Sequence, residues 1–298
     1  MPIAQKLQDY KQLVKFTLSF TVVFSSIICY LLHPSVSFNW AMVGWLFIAG
    51  MLVTSSANAI NQIIEKNTDA LMKRTAKRPI ASGRMSVSEA SVFATAAGIT
   101  GTLIMWNYFN GAAAALSALS LLIYAFVYTP LKKVNSIAVL VGGIPGALPC
   151  LIGWVAGIST SSGTTSWLGG WVLFAIQFVW QFPHFWAIAW LAHKDYEGAG
   201  FKLLPSRQGQ TKYSAQQALI YAILMVPIGL LPYLLTYLGQ ANLSTTPSLY
   251  IVLLSNIYMV LQCYRLLTDG NDKAARRVMF TSYIYLPVVL LALLLFKS

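Results

Sequence analysis

Apolar stretches of about twenty residues alternate with short polar connections along almost the whole chain. A helix needs roughly 20 mostly apolar residues to cross a bilayer. Nine windows have that length, at about 14–33, 40–62, 88–107, 111–129, 136–158, 168–192, 216–238, 247–267 and 278–296. The pattern predicts an all-α polytopic membrane protein, one integral-membrane domain over residues 1–298. The third and fourth windows are separated only by the turn "NYFNG". Pro and Gly fall inside several windows, which neighbouring helices tolerate by satisfying the freed backbone groups.

The polar connections separate into two sets. One set holds the N-terminal Lys6, Lys11 and Lys15, the 62–87 segment, Lys132 and Lys133, the 193–215 segment, and the stretch from Arg265 to Arg277. The other set is "HPSVSFN", "NYFNG", "ISTSSGTTS" and "GQANLSTTPS", with no Lys or Arg. Of the 20 basic residues, only Lys297 falls on that second side. Excess Lys and Arg mark the cytoplasmic side. The N-terminus and the charged loops are therefore expected in the cytoplasm or its organellar equivalent, and an odd number of spans puts the C-terminus outside. All 8 acidic residues lie on the charged side as well, so chemistry is expected at that face.

Composition sharpens this picture. The chain is 57% hydrophobic and only 9% charged, against roughly 25% charged in an average soluble domain. A net charge of +12 on so apolar a chain does not describe a nucleic-acid binder, and no nucleic-acid partner is expected. Cys29, Cys150 and Cys263 each sit in an apolar run and form no disulfide framework or metal pattern; small core hydrophobes describe them best. Residues 1–12 are polar and no signal peptide is expected.

The densest charge follows the second window, in "NAINQIIEKNTDALMKRTAKRPIASGRMS". If the helix continues, Asn61, Glu65 and Asp69 stand at i, i+4 and i+8 on one stripe. Three oxygen-bearing side chains there suit a hard cation; Mg²⁺ takes one or two carboxylates, substrate phosphates and waters. Lys73, Arg74, Lys77 and Arg78 follow directly and could grip phosphate oxygens. The plain alternative is a juxtamembrane loop whose charges only set topology, but topology needs bases rather than an Asn/Glu/Asp stripe.

A partial echo follows the sixth window, where Asp195 and Glu197 stand with Lys194, Lys202 and Arg207. Two acidic segments, each closing a span and each followed by bases, can face each other across a cavity, an arrangement that suits one diphosphate bridged by two metal ions. The same window carries "WQFPHFW", with Gln181 and His184 polar among aromatics. A polar group at membrane depth is a functional candidate by default. His184 could ligate a metal or haem iron, act as an acid or base, or be a hydrogen-bonded packing residue. Lys132, after Tyr124 and Tyr128, could meet a phosphate. Gly142, Gly143 and Gly146, beside Pro145 and Pro149, permit close helix approach or a broken helix lining a cavity, or are ordinary packing.

On these residues the chain resembles the UbiA superfamily of intramembrane prenyltransferases. The superfamily's first motif, Asn-Asp-x-x-Asp-x-x-x-Asp, corresponds to Asn61-Gln62-x-x-Glu65-x-x-x-Asp69, with Gln62 and Glu65 as departures. That variant is similar to the protohaem IX farnesyltransferase (haem O synthase) branch, as are "MKRTAKRPIASGRMS", "GGIPGALPCLIGW", "WQFPHFWAIAW" and "KDYEGAGFKLLP", ordered from about 55 to 207. The Met usual near Leu203 is absent.

The resemblance implies about nine helices around a central cavity and farnesyl transfer from farnesyl diphosphate to a vinyl group of haem b, with water added, giving haem O. It implies Mg²⁺ held by Asn61, Glu65, Asp69 and Asp195, and a diphosphate met by Arg74, Arg78, Lys132 and Lys194. Trp180, Phe182, Phe185 and Tyr128 are expected to line the cavity and stabilise an allylic cation. His184 becomes a haem-binding candidate, and Lys202, Arg207 or Arg276 candidates for the propionates. The implied partners are the two substrates, the lipid bilayer, and haem A synthase or terminal-oxidase assembly, in a bacterial inner membrane or its mitochondrial equivalent. A related enzyme acting on a quinone precursor, a transporter and a structural assembly factor are the rivals. The absence of acidic residues at the midplane disfavours the transporter.

Overall fold

The computed structural model describes residues 3–158, 166–206 and 208–297. Arg207 and most of the "ISTSSGTTS" connection therefore lie outside the described residues. Helix dominates what is described, and no strand occurs among the described residues. In order the elements are α1 (Ile3–Leu13), α2 (Phe16–Leu32), α3 (Trp40–Ile64), α4 (Lys66–Leu71), α5 (Val87–Tyr108), α6 (Gly111–Leu122), a π turn (Ile123–Tyr128), and α7 (Thr129–Leu131). They continue with α8 (Ala138–Ala156), α9 (Leu168–Leu191), α10 (His193–Gly198), α11 (Lys212–Tyr237), α12 (Thr246–Asp269) and α13 (Asp272–Leu295).

Eight single helices are long and apolar enough to cross a membrane, and α1 with α2, bent by 49°, makes a ninth. The nine predicted windows correspond to these. Starts are set by local chemistry: Asn39, Ser86, Asn110 and Asn271 each accept backbone N–H groups from the first turn of α3, α5, α6 and α13, the groups a helix start leaves without intrahelical partners. Gly270, at φ 57°, ends α12 in the left-handed conformation favoured there.

The bundle is built around α8 and α9, whose spanning windows are 78% and 67% buried, against 22–44% for the other single spans. α2 packs on α8, α11 and α13 pack on α9, and α3 pairs with α5. Residues such as Trp106, Tyr250, Leu254 and Ile284 point outward and stay more than 60% exposed. A belt of large exposed apolar groups on this scale suits lipid rather than water.

The prolines of α8 are accommodated by its neighbours. Pro149 has no N–H to give to the Pro145 carbonyl four residues back, and Ser120 Oγ donates to that carbonyl instead at 3.2 Å. From α9, Gln177 Nε2 donates to Gly146 O at 2.7 Å and Gln181 Nε2 to Gly143 O at 3.1 Å. A Cβ at Gly146 would overlap Gln181 Oε1. The small residues of "GGIPGALP" therefore serve close helix approach, and the polar Gln181 is a backbone partner for a broken helix.

Candidate functional site

Where α3 ends, the chain turns slightly instead of stopping. Glu65 has φ −89° and ψ 7°, yet its N–H still bonds Asn61 O at 2.9 Å and its own carbonyl accepts the Asp69 N–H at 2.7 Å. The i, i+4, i+8 spacing therefore survives the joint, and Asn61, Glu65 and Asp69 all line one cavity of about 190 Å³. All three are buried, Asp69 completely.

Cations close the cavity around them. Lys132 Nζ donates to Glu65 Oε1 at 2.8 Å, and Arg78 Nη1 donates to both Asp69 oxygens at 2.8 and 2.7 Å. Burial pushes the Asp69 carboxyl above the ordinary carboxylate range, and the Arg78 guanidinium pulls against that shift. Arg74 donates to Tyr196 Oη at 2.9 Å with its guanidinium 5.5 Å from that ring. Lys15 Nζ donates to Asn61 Oδ1 at 2.9 Å, while Asn61 Nδ2 donates to Thr129 Oγ1 at 3.2 Å. Four cations, Lys15, Arg74, Arg78 and Lys132, and two carboxylates thus line the chamber.

The position of Lys132 comes from the π turn. Pro130 cannot donate to the turn before it, and the helix widens over Ile123–Tyr128. Thr129 Oγ1 donates to Tyr124 O at 2.8 Å across the widened turn. Wide single turns of this kind commonly re-aim functional side chains. Gly142 on α8 makes room for the result: a Cβ there would stand 2.6 Å from the Tyr128 ring. The Lys132 ammonium lies 4.6 Å from that ring's centre and 5.8 Å from that of Phe201.

The cavity's lining includes some of the expected residues and not others. From the second acidic segment, other side chains line this cavity. Asp195, Glu197 and Lys194 are not among the chamber's lining residues; Tyr196, Phe201 and Leu203 are. The short α10 turns Tyr196 inward against Arg74 and Phe201. The aromatic wall also differs. Tyr128 lines the chamber, but Trp180, Phe182 and Phe185 do not. Phe182 packs against Trp186 and Tyr221, and Trp180 Nε1 donates to Ser282 O at 3.0 Å, so both serve contacts of α9 with α11 and α13.

His184 also lies on the α9–α13 contact, 2.7 Å from Ser282 Oγ through Nδ1. Ser282 Oγ also lies 2.6 Å from Met279 O. The one Ser282 proton can serve either contact, and the imidazole tautomer sets which side donates in the pair. Lys202 Nζ reaches Val134 O at 3.3 Å, and Arg276 is exposed on α13.

Sequence reasoning missed Lys15, Tyr196 and Phe201 as lining residues. Lys15 looked like one more topology-setting base, and only its position at a bend distinguishes it.

As to a metal, no group of three or more His, Cys, Asp or Glu side chains is close enough to hold one among the described residues. Two buried carboxylates and the Asn61 carboxamide oxygen do share the chamber, and that donor set fits a Mg²⁺ ion completing its shell with phosphate oxygens and water.

Comparison with known proteins agrees with this geometry. The family described as the UbiA prenyltransferase family matches residues 22–284. The protoheme IX farnesyltransferase of Cytophaga hutchinsonii is 44% identical over 295 residues, 99% of each chain. Among solved structures, one of digeranylgeranylglyceryl phosphate synthase superposes with a TM-score of 0.78 at 22% identity, covering 98% of both chains. A UbiA homologue from Archaeoglobus fulgidus, bound to GPP and Mg²⁺, gives 0.67 at 13% identity over 96% of this chain and 99% of that one.

Proposed function

The chain belongs to the UbiA prenyltransferase family, and from that membership we propose that it transfers a farnesyl group from farnesyl diphosphate to a vinyl group of haem b. It is an integral membrane enzyme whose substrate is a prenyl diphosphate. The observation that carries the choice of acceptor is the likeness to a protoheme IX farnesyltransferase along 99% of the chain. The chamber supplies a chemical rationale for the diphosphate end.

In the reaction the C1–O bond of farnesyl diphosphate breaks and its electron pair leaves with diphosphate. The vinyl π pair forms the new carbon–carbon bond. Water then adds to the carbon beside the porphyrin ring and loses a proton, leaving a hydroxyl. Negative charge grows on the leaving group, so fixed cations aimed at it lower the barrier most. Arg74, Arg78 and Lys132, which line the chamber, are our candidates for that role. In the structure two of them are held by Glu65 and Asp69. With substrate bound, the carboxylates and Asn61 would hold Mg²⁺, and the cations would turn to phosphate oxygens. Mg²⁺ when bound supplies Lewis-acid neutralisation of the departing diphosphate. Tyr128 and Phe201 line the same chamber, where a developing allylic cation would be attracted to an aromatic ring.

His184 is our candidate for haem contact, because a neutral imidazole buried in an aromatic helix is a ligand iron accepts. Lys202 and Arg276 are candidates for the propionates. The membrane is a bacterial inner membrane or its mitochondrial counterpart, with the chamber and N-terminus cytoplasmic and the C-terminus outside, as the basic loops require.

The test is to incubate membranes containing the protein with haem b, farnesyl diphosphate and Mg²⁺ and weigh the extracted haems. A haem heavier by one farnesyl group plus water is expected. No new haem, with a phenolic acceptor prenylated instead, would assign the protein to quinone-precursor chemistry.

A further inference from the structure

The corner between α1 and α2 is held by amides of α3, including the one residue of the first motif that is neither acidic nor asparagine. α1 ends at Leu13, so its last carbonyls have no helical partner. Gln62 Nε2 donates to Gln12 O at 3.1 Å and Leu13 O at 2.8 Å. Asn58 Nδ2 donates to Val14 O at 3.3 Å and to Ser19 Oγ at 3.1 Å, and Ser19 Oγ donates to Val14 O at 2.7 Å. Gln62 is 1% exposed, and a carboxylate at its place could only accept, so it would face carbonyl oxygens with no proton to offer. The glutamine is therefore explained by what it clamps.

What the clamp delivers is Lys15. This is the only non-glycine residue with positive φ among the described residues, at φ 47° and ψ 56°, a conformation that L-residues seldom adopt unless their surroundings impose it. The bend puts its ammonium into the chamber, bonded at 2.9 Å to the neutral acceptor Asn61 Oδ1. Arg78 and Lys132 are neutralised by carboxylates in direct contact, and Lys15 has none within 4.0 Å among the described residues. Its partner, Asn61, is also an oxygen proposed for the metal.

We propose that Lys15 is a diphosphate-binding residue, that its ammonium moves from Asn61 Oδ1 to a phosphate oxygen as substrate and metal enter, and that Gln62 is the positioning residue that holds the α1–α2 corner in the shape this requires. The proposal rests on the prenyl-transfer reading above.

The test uses purified full-length protein in lipid nanodiscs. It compares wild type with Lys15→Gln, Lys15→Arg and Gln62→Glu. The readouts are calorimetric Kd for farnesyl diphosphate with Mg²⁺, KM for each substrate, and the thermal midpoint. Removing one charge-assisted hydrogen bond to phosphate should raise Kd and KM for farnesyl diphosphate about tenfold or more in Lys15→Gln. KM for haem b and the midpoint should stay unchanged, and Lys15→Arg should recover most of the affinity. Gln62→Glu should move the same KM in the same direction. Unchanged farnesyl diphosphate binding in Lys15→Gln overturns the proposal. So does equal loss in Lys15→Gln and Lys15→Arg with a lowered midpoint, which would mark a corner-packing residue. If wild type binds farnesyl diphosphate in a Lys15-dependent way but farnesylates no haem, the acceptor assignment falls and the role of Lys15 stands.

Discussion

The segments after α3 and after α9 look alike as strings of residues, each a run of apolar helix closed by acids and then bases. In space they do different work. The first supplies Asn61, Glu65, Asp69, Arg74 and Arg78 to the chamber, whereas the second supplies Tyr196, Phe201 and Leu203. The difference begins at the two joints. Between α3 and α4 the i−4 bonds run on through Glu65, so the acidic stripe keeps its register. After α9 the chain forms the six-residue α10 and then an irregular stretch, and the inward position falls to an aromatic residue between two acids. Similar composition therefore does not make similar contributions, and the two carboxylates that line this cavity, Glu65 and Asp69, both come from the first segment.

Substitutions can break or sharpen that contrast. The largest effect is expected at the first segment. Asp69→Asn or Glu65→Gln should lower kcat/KM by about 10²–10³-fold, read as haem product per unit enzyme, because each removes a proposed metal oxygen. Next comes Lys132→Met, which strands Glu65 without its 2.8 Å partner. Loss of one charged hydrogen bond, at about 1.5–3 kcal/mol, should raise the KM for farnesyl diphosphate some ten- to hundredfold. Gly142→Ala tests the wall between them. Its Cβ would stand 2.6 Å from Tyr128, and overpacking of about 1–3 kcal/mol should lower the thermal midpoint and turnover together. Tyr196→Phe removes only the 2.9 Å bond from Arg74 and keeps the ring, so a rise of a few-fold in the same KM is expected, from about 1 kcal/mol. Asp195→Asn should be smallest, within about twofold, as expected for a substitution away from packed or paired features.

Some of this was legible in the chain. The spans were, because an apolar stretch long enough to cross a bilayer has few other uses. The first stripe was, because helical spacing survives a small bend. The corner at Lys15 was not: a left-handed lysine leaves no mark on hydropathy, and its importance depends on amides more than forty positions away. The contacts of Trp180 and Phe182 with α13 and α11 were not legible, because periodicity tells which residues share a face and not which helix that face meets. Tyr196 was hidden for a related reason. It stands between two acids, and only the orientation of a short helix decides which of three adjacent residues turns inward.

The most direct test of a one-sided chamber is calorimetric titration of farnesyl diphosphate with Mg²⁺ into wild type, Asp69→Asn and Asp195→Asn in nanodiscs. The account predicts that metal-dependent binding is lost in Asp69→Asn and retained in Asp195→Asn. Equal loss in both would contradict it, and would mean that carboxylates from both segments meet the substrate.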